Sequence, residues 1–227
     1  MRKNIVLTGV GGQGTVLASK LIAAAALKRV EICKADFQVC SHTSKPQSAA
    51  EAYDETLHKG VQVMSAETIG MAQRGGSVFS HLRIGEGLTS PMIAKGEADL
   101  ILGFEPAETV RMLPYLKEGG QVVTAIRGVM PVTAALAGGN YRAEDMLEYL
   151  RSRVNNLLLV DTDEAVKALG NPKIVNVVLL GAALASGALG LTEEELKGAI
   201  RDRLPEKLHE LNFRALDYFR SVQGIVT

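Results

Sequence analysis

Asn4-Ile5-Val6-Leu7-Thr8, running directly into Gly9-Val10-Gly11-Gly12-Gln13-Gly14, is the stretch whose reading decides the fold. The first five residues have strand character, and Thr15 to Leu27 is rich in Ala, Leu and Ile, which favour helix. Between them stands G-x-G-x-x-G. Its first glycine permits a tight turn, its second lets backbone N–H groups approach an anion, and its third lets the helix pack closely on the strand. The helix N-terminus adds partial positive charge aimed at the same notch. The segment therefore proposes an α/β fold together with an anion site at Gly9, Gly11, Gly12 and Gly14. A tight turn with no ligand is the competing reading. A nicotinamide dinucleotide is another, with Glu67 in the acidic position that reads a ribose hydroxyl.

Working outward, strand and helix patterns alternate. A strand is expected within Glu31–Cys40, a loop at Ser41–Ser48 and a short helix at Ala49–His58. Val61–Ala66 alternates as a strand, Glu67–Gly76 is a glycine-bearing loop, and Ser77–Ile84 is another strand. Pro91–Lys95 suggests a short helix, Ala98–Phe104 a buried strand, and Ala107–Leu116 a helix. Gly119-Gly120 breaks the chain before a strand at Gln121–Ile126. An amphipathic helix follows at Ala143–Val154 and a strand at Leu157–Val160. Thr162 is placed to cap a helix over Asp163–Leu169 that Gly170-Asn171-Pro172 ends. Lys173–Leu189 reads as an apolar helix, Thr192 with Glu195 has capping-box form, and Pro205 opens a final helix to about Ser221. Strands that are apolar throughout, alternating with helices, indicate a doubly wound, mostly parallel sheet with helices on both faces and a helical C-terminal region.

The bulk properties exclude several classes. Lys+Arg and Asp+Glu both number 25, so the 227-residue chain lacks the basic excess of a nucleic-acid or membrane-surface protein. With no Trp and 4% aromatic residues, base-stacking platforms are not expected. The longest apolar stretch, Ile174–Leu191, is interrupted by Asn176, Ser186 and glycines, as in a buried helix and not a membrane span. No secretory cleavage region follows Met1-Arg2-Lys3, which makes a cytoplasmic location the expectation. Two cysteines, Cys33 and Cys40, are too few for a four-iron cluster. With His42 and Asp36 they match no metal spacing, so no metal site is assigned.

Three blocks reach beyond the lone glycine fingerprint. They are Gly9–Gly14, the run Glu67-Thr68-Ile69-Gly70-Met71-Ala72-Gln73-Arg74-Gly75-Gly76-Ser77-Val78, and Gly170–Gly181. Gly103-Phe104-Glu105-Pro106 falls between them. Together they resemble the gamma subunit, or gamma domain, of the 2-oxoacid:ferredoxin oxidoreductases, most of all the indolepyruvate type, over most of residues 3–27 and 61–221. The resemblance implies one domain over residues 1–227 with an insertion near 28–60. It implies a non-thiamine subunit, inactive alone, in a complex that oxidatively decarboxylates a 2-oxoacid (indolepyruvate or a related aryl pyruvate) to an acyl-CoA. Electrons would leave through iron–sulfur clusters to ferredoxin. Thiamine diphosphate, its Mg ion and the clusters would belong to partner subunits, with CoA as co-substrate.

Within the resembling blocks, Arg74 is the foremost functional candidate. A guanidinium between Gln73 and Gly75-Gly76 can fork onto a carboxylate or phosphate while the glycines admit close approach. A clamp on a neighbouring loop or subunit is its structural alternative. Glu105, just beyond a buried strand, lies where open α/β sheets bind ligands, or else caps the helix that Pro106 begins. His81, on a strand face with Ser77, Phe79 and Arg83, reads as structural. Two other functional classes remain open at this point: a free-standing NAD(P)-binding oxidoreductase, and an assembly subunit without a ligand.

Overall fold

The computed structural model describes residues 2–40, 61–67, 76–130 and 140–223. Its centre is a six-stranded sheet in the order β2-β3-β1-β4-β5-β6. The strands are β1 (Lys3–Val10), β2 (Gln62–Glu67), β3 (Ser77–Gly85), β4 (Ala98–Gly103), β5 (Leu116–Ala125) and β6 (Asn156–Val160). β1, β4, β5 and β6 pair in parallel, whereas β3 is antiparallel to both β1 and β2. Five strands thus share one direction and β3 alone opposes them, a mixed and mostly parallel sheet.

Among the described residues there are seven α-helices: α1 (Thr15–Cys40), α2 (Pro106–Met112), α3 (Ala143–Arg153), α4 (Thr162–Leu169), α5 (Val175–Ala185), α6 (Glu193–Arg203) and α7 (His209–Gln223). None is long and apolar enough to cross a membrane. Alternate residues of each central strand feed two cores. Ile5, Leu7, Leu100, Leu102 and Val123 join residues of α1, α4, α5, α6 and α7 on one face. Val6, Ile101 and Val122 join residues of α2 and α3 on the other. Burial on both faces is why these strands read as unbroken apolar runs.

Several boundaries differ from the sequence expectation. Residues 31–40 continue α1, making it 26 residues long, and form no strand. The rest of the expected insertion near 28–60 lies outside the described residues. Gly119 and Gly120 do not precede β5. They sit inside it, where the register with β4 shifts between Ala98↔Leu116 and Leu100↔Gln121. The cap of α4 is Asp161, whose side chain accepts from the N–H groups of Asp163 and Glu164, while Thr162 is the buried first helical residue.

No helix forms at Pro91–Lys95, because its polar groups are engaged elsewhere. The buried Arg83 donates through Nη1 to the Ser90 and Met92 carbonyls and through Nε to Asn4 Oδ1. The Ile93 N–H donates to His81 Nδ1 at 3.2 Å. His81 is 1% exposed, edge-on to the rings of Phe79 and Tyr115, and its Nε2 has no hydrogen-bond partner among the described residues.

Burial lowers the His81 pKa below its ordinary 6.5. The unfolded chain therefore binds this proton more readily than the folded one, and stability falls as pH drops below about 6.5. Urea midpoints at pH 7.5 and pH 5 are expected to differ more for the wild type than for His81→Asn, which keeps an acceptor for Ile93. Equal pH dependence in the two proteins would remove His81 from the explanation.

Candidate functional site at the carboxyl edge of the sheet

Three chain segments meet on the β4–α2 turn, at the carboxyl ends of β1 and β4. The first is the glycine turn. Gln13 bends back over it, its Oε1 accepting the Val10 N–H at 2.7 Å and its Nε2 donating to the Phe104 carbonyl at 2.9 Å. A Cβ on Gly9 would lie 2.7 Å from Gln13 Oε1 and 2.8 Å from Phe104 Cβ. Close approach thus accounts for Gly9, and the Gln13 amide accounts for how the turn is fastened to β4. Gly12 and Gly14 have φ of +104° and +83°, which side chains disfavour. Space opens beside Gly12, while Gly14 faces the side-chain Nδ2 of Asn176, a residue 4% exposed at the start of α5. Asn176 Oδ1 accepts the Val177 N–H at 3.0 Å.

The second segment is the end of the 67–76 loop. The Gly11 N–H donates to the Gly76 carbonyl at 2.9 Å. One residue on, the Ser77 hydroxyl donates to Glu108 Oε2 at 2.5 Å. Glu108 is 5% exposed and is also paired with Arg111, whose Nε lies 3.2 Å from Oε2.

The third segment connects β5 to α3. Glu105, 1% exposed, caps α2 by accepting the Glu108 N–H on Oε2 at 2.9 Å. Its Oε1 accepts from the Val129 N–H at 3.4 Å and from the Tyr141 hydroxyl. Burial, followed by this hydrogen bond to Glu105, pushes the Tyr141 phenol well above its usual range. Two carboxylates, one at the cap and one in the first turn of the same helix, therefore fasten two separate connections to the same edge.

Of the residues singled out in the sequence, Gly9, Gly11, Gly12, Gly14, Gly76 and Glu105 are brought together here. Gln73, Arg74 and Gly75 lie outside the described residues, as do the side chains of Cys33, Asp36, Cys40 and His42. Glu67 ends β2, and β3 separates that strand from β1. A ribose-reading carboxylate would sit on the strand beside the glycine turn, so the pairing of Glu67 with that turn finds no support in the topology. Among the described residues no group of three or more His, Cys, Asp or Glu is arranged to hold a metal ion.

Sequence reasoning missed Gln13, Glu108 and Tyr141 as organisers of this edge. The Glu105–Glu108 spacing ahead of a helix was a usable signal, since acidic residues favour the first turn. Tyr141 carried none. Two surface cavities, of about 290 and 510 Å³, lie at the opposite edge, around Asn155 and Asn156.

Comparison with known proteins adds the following. The family model described as pyruvate ferredoxin/flavodoxin oxidoreductase matches residues 48–221. An indolepyruvate oxidoreductase subunit IorB from Thermococcus kodakarensis is 33% identical over 216 residues, covering 94% of this chain and 92% of that protein. A pyruvate/ketoisovalerate oxidoreductases common subunit gamma from the same organism is 27% identical, with 92% and 90% covered.

Among solved structures, the gamma subunit of a keto/oxoacid ferredoxin oxidoreductase from Geobacter sulfurreducens has a TM-score of 0.56 at 21% identity, with 95% and 94% covered. The 2-oxoglutarate:ferredoxin oxidoreductase from Magnetococcus marinus has a TM-score of 0.61 at 16% identity and covers 100% of this chain but 32% of its own. At these identities the two structures show the shared fold.

Proposed function

The chain belongs to the pyruvate ferredoxin/flavodoxin oxidoreductase family, and from that premise we propose that it is the non-thiamine subunit of a complex that oxidatively decarboxylates a 2-oxoacid, indolepyruvate or a related aryl pyruvate. The observation that carries this reading is the convergence at one edge. The glycine turn, the end of the Gln73–Gly76 loop and Glu105 belong to separate blocks of the sequence, yet all are tied to the β4–α2 turn. The identity to IorB subunits over most of the chain supports the aryl 2-oxoacid.

In this reading the edge faces the thiamine-bearing partner subunit and completes the walls of the 2-oxoacid and coenzyme A site. Arg74 supplies a fork for a carboxylate or phosphate. The open side of Gly12, two residues before the Gly14 that Asn176 Nδ2 faces, suits an anionic group of the same ligands. Thiamine diphosphate with its Mg ion, and the clusters that pass electrons to ferredoxin, are assigned to the partner, since two cysteines cannot ligate a four-iron cluster. The complex is assigned to the cytoplasm.

Purified alone, the chain is expected to be inactive with indolepyruvate, coenzyme A and ferredoxin, and to support turnover once combined with its thiamine- and cluster-bearing partner. In the complex, Arg74→Ala is expected to raise one Michaelis constant by about tenfold or more, the loss of a charge-assisted hydrogen bond. Assembly and both Michaelis constants unchanged by that substitution would refute the role of the edge. Direct binding of NAD(H) or NADP(H) by the isolated chain, seen by calorimetry, would instead favour a free-standing dinucleotide enzyme.

A further inference from the structure

Glu105 divides its two carboxylate oxygens between two tasks. Oε2 caps α2 through the Glu108 N–H. Oε1 receives both the Val129 N–H and the Tyr141 hydroxyl, which stand at the two ends of the β5–α3 connection. The Glu105 main chain is held as well. The Thr109 hydroxyl donates to the Glu105 carbonyl at 2.8 Å, and Thr109 and Thr124 share a hydroxyl–hydroxyl contact of 2.9 Å on the neighbouring strand. The clasp also fits sterically. A Cβ on Gly128 would lie 2.8 Å from Tyr141 Cε1, 2.9 Å from its hydroxyl oxygen and 2.7 Å from Ala143 Cβ. The Tyr141 side chain therefore lies against the Gly128 backbone, and Glu105 closes the arrangement.

We propose that Glu105 is a positioning residue for the reaction, acting through Tyr141: Oε1 fixes residues 127–130 and 140–142 against the β4–α2 turn, to which the glycine turn is also tied, and so sets one wall of the co-substrate site. The proposal rests on the assignment of this edge to the 2-oxoacid and coenzyme A. A cap needs only Oε2, and a helix cap alone gives no reason for a phenol and a second amide to converge on the other oxygen. A wall held by a single buried acceptor stays in place while ligands enter and leave, which is what pre-organisation for binding requires.

The test uses the assembled complex with indolepyruvate and coenzyme A as the varied substrates. Tyr141→Phe keeps the ring and the helix cap and removes only the hydroxyl. It is expected to raise a Michaelis constant by about fivefold with kcat within about twofold, the mark of lost binding geometry without loss of chemistry. Gly128→Ala displaces the same ring from the opposite side and is expected to shift the same constant.

Both Michaelis constants unchanged in Tyr141→Phe and in Gly128→Ala, while Arg74→Ala shifts one of them, would overturn the positioning role and leave the assignment of the edge standing. No shift in any of the three variants would overturn both.

Discussion

Gly181→Ala is expected to lower stability by about 3 kcal/mol, at the upper end of the usual range for overpacking. Gly181 lies in the buried middle of α5, where that helix crosses α7. A Cβ added there would sit 2.1 Å from the Leu216 carbonyl oxygen and 2.9 Å from its carbon. The obstacle is backbone, so no side chain can rotate away, and the two helices must separate. Val177, Val178, Leu180 and Ala215 share that buried region and would all lose contact. For a chain of this size the melting temperature should fall by roughly 6–12 °C. A fall within about 2 °C would mean that the α5–α7 spacing is looser than this contact requires.

Glu105→Ala is the second substitution with a large expected effect, and its main readout is stability. Loss of the α2 cap alone costs about 1 kcal/mol. The Tyr141 hydroxyl and the Val129 N–H then lose their acceptor in a partly buried place, a further cost of about 1–3 kcal/mol. A total near 3 kcal/mol, with a melting temperature lower by roughly 6–12 °C, is expected. Tyr141→Phe should show only the smaller share, because Oε2 still caps the helix. Equal losses in the two variants would mean that the cap contributes little to stability.

How much of this was legible in the sequence depended on how local the cause was. The capping box was fully legible, because Thr192 and Glu195 satisfy each other within one turn: Thr192 N–H to Glu195 Oε2 at 2.7 Å, Glu195 N–H to Thr192 Oγ1 at 3.3 Å. So was the end of α4, where Gly170 adopts φ +71°. The two-sided burial of β1 and β4 showed in their unbroken apolar runs.

The identity of α1 beyond residue 30 did not show, since Ile32, Cys33, Val39 and Cys40 favour strand locally and the helix already running through Leu27 overrides that preference. The place of β3 between β1 and β2 was equally hidden. Sheet order is settled by pairing across long sequence separations, for which a single chain carries no pattern. The same holds for the site. Glu105 was visible as an edge residue, but its union with Tyr141 spans 36 positions. The Gln13 amide that locks the glycine turn to Phe104 spans 91.

The reversed direction of β3 has an evolutionary consequence. Since β2 and β3 are antiparallel neighbours, with Glu67 opposite Ser80, the intervening residues join the two strands of a hairpin and no crossover helix has to pass over the sheet. The connection is therefore a cassette. A change in its length or composition re-routes no crossover helix, provided that the flanking pairs and the Ser77–Glu108 bond persist. Under the proposed function, transplanting residues 68–76 from a relative of different preference tests whether substrate preference travels with this hairpin.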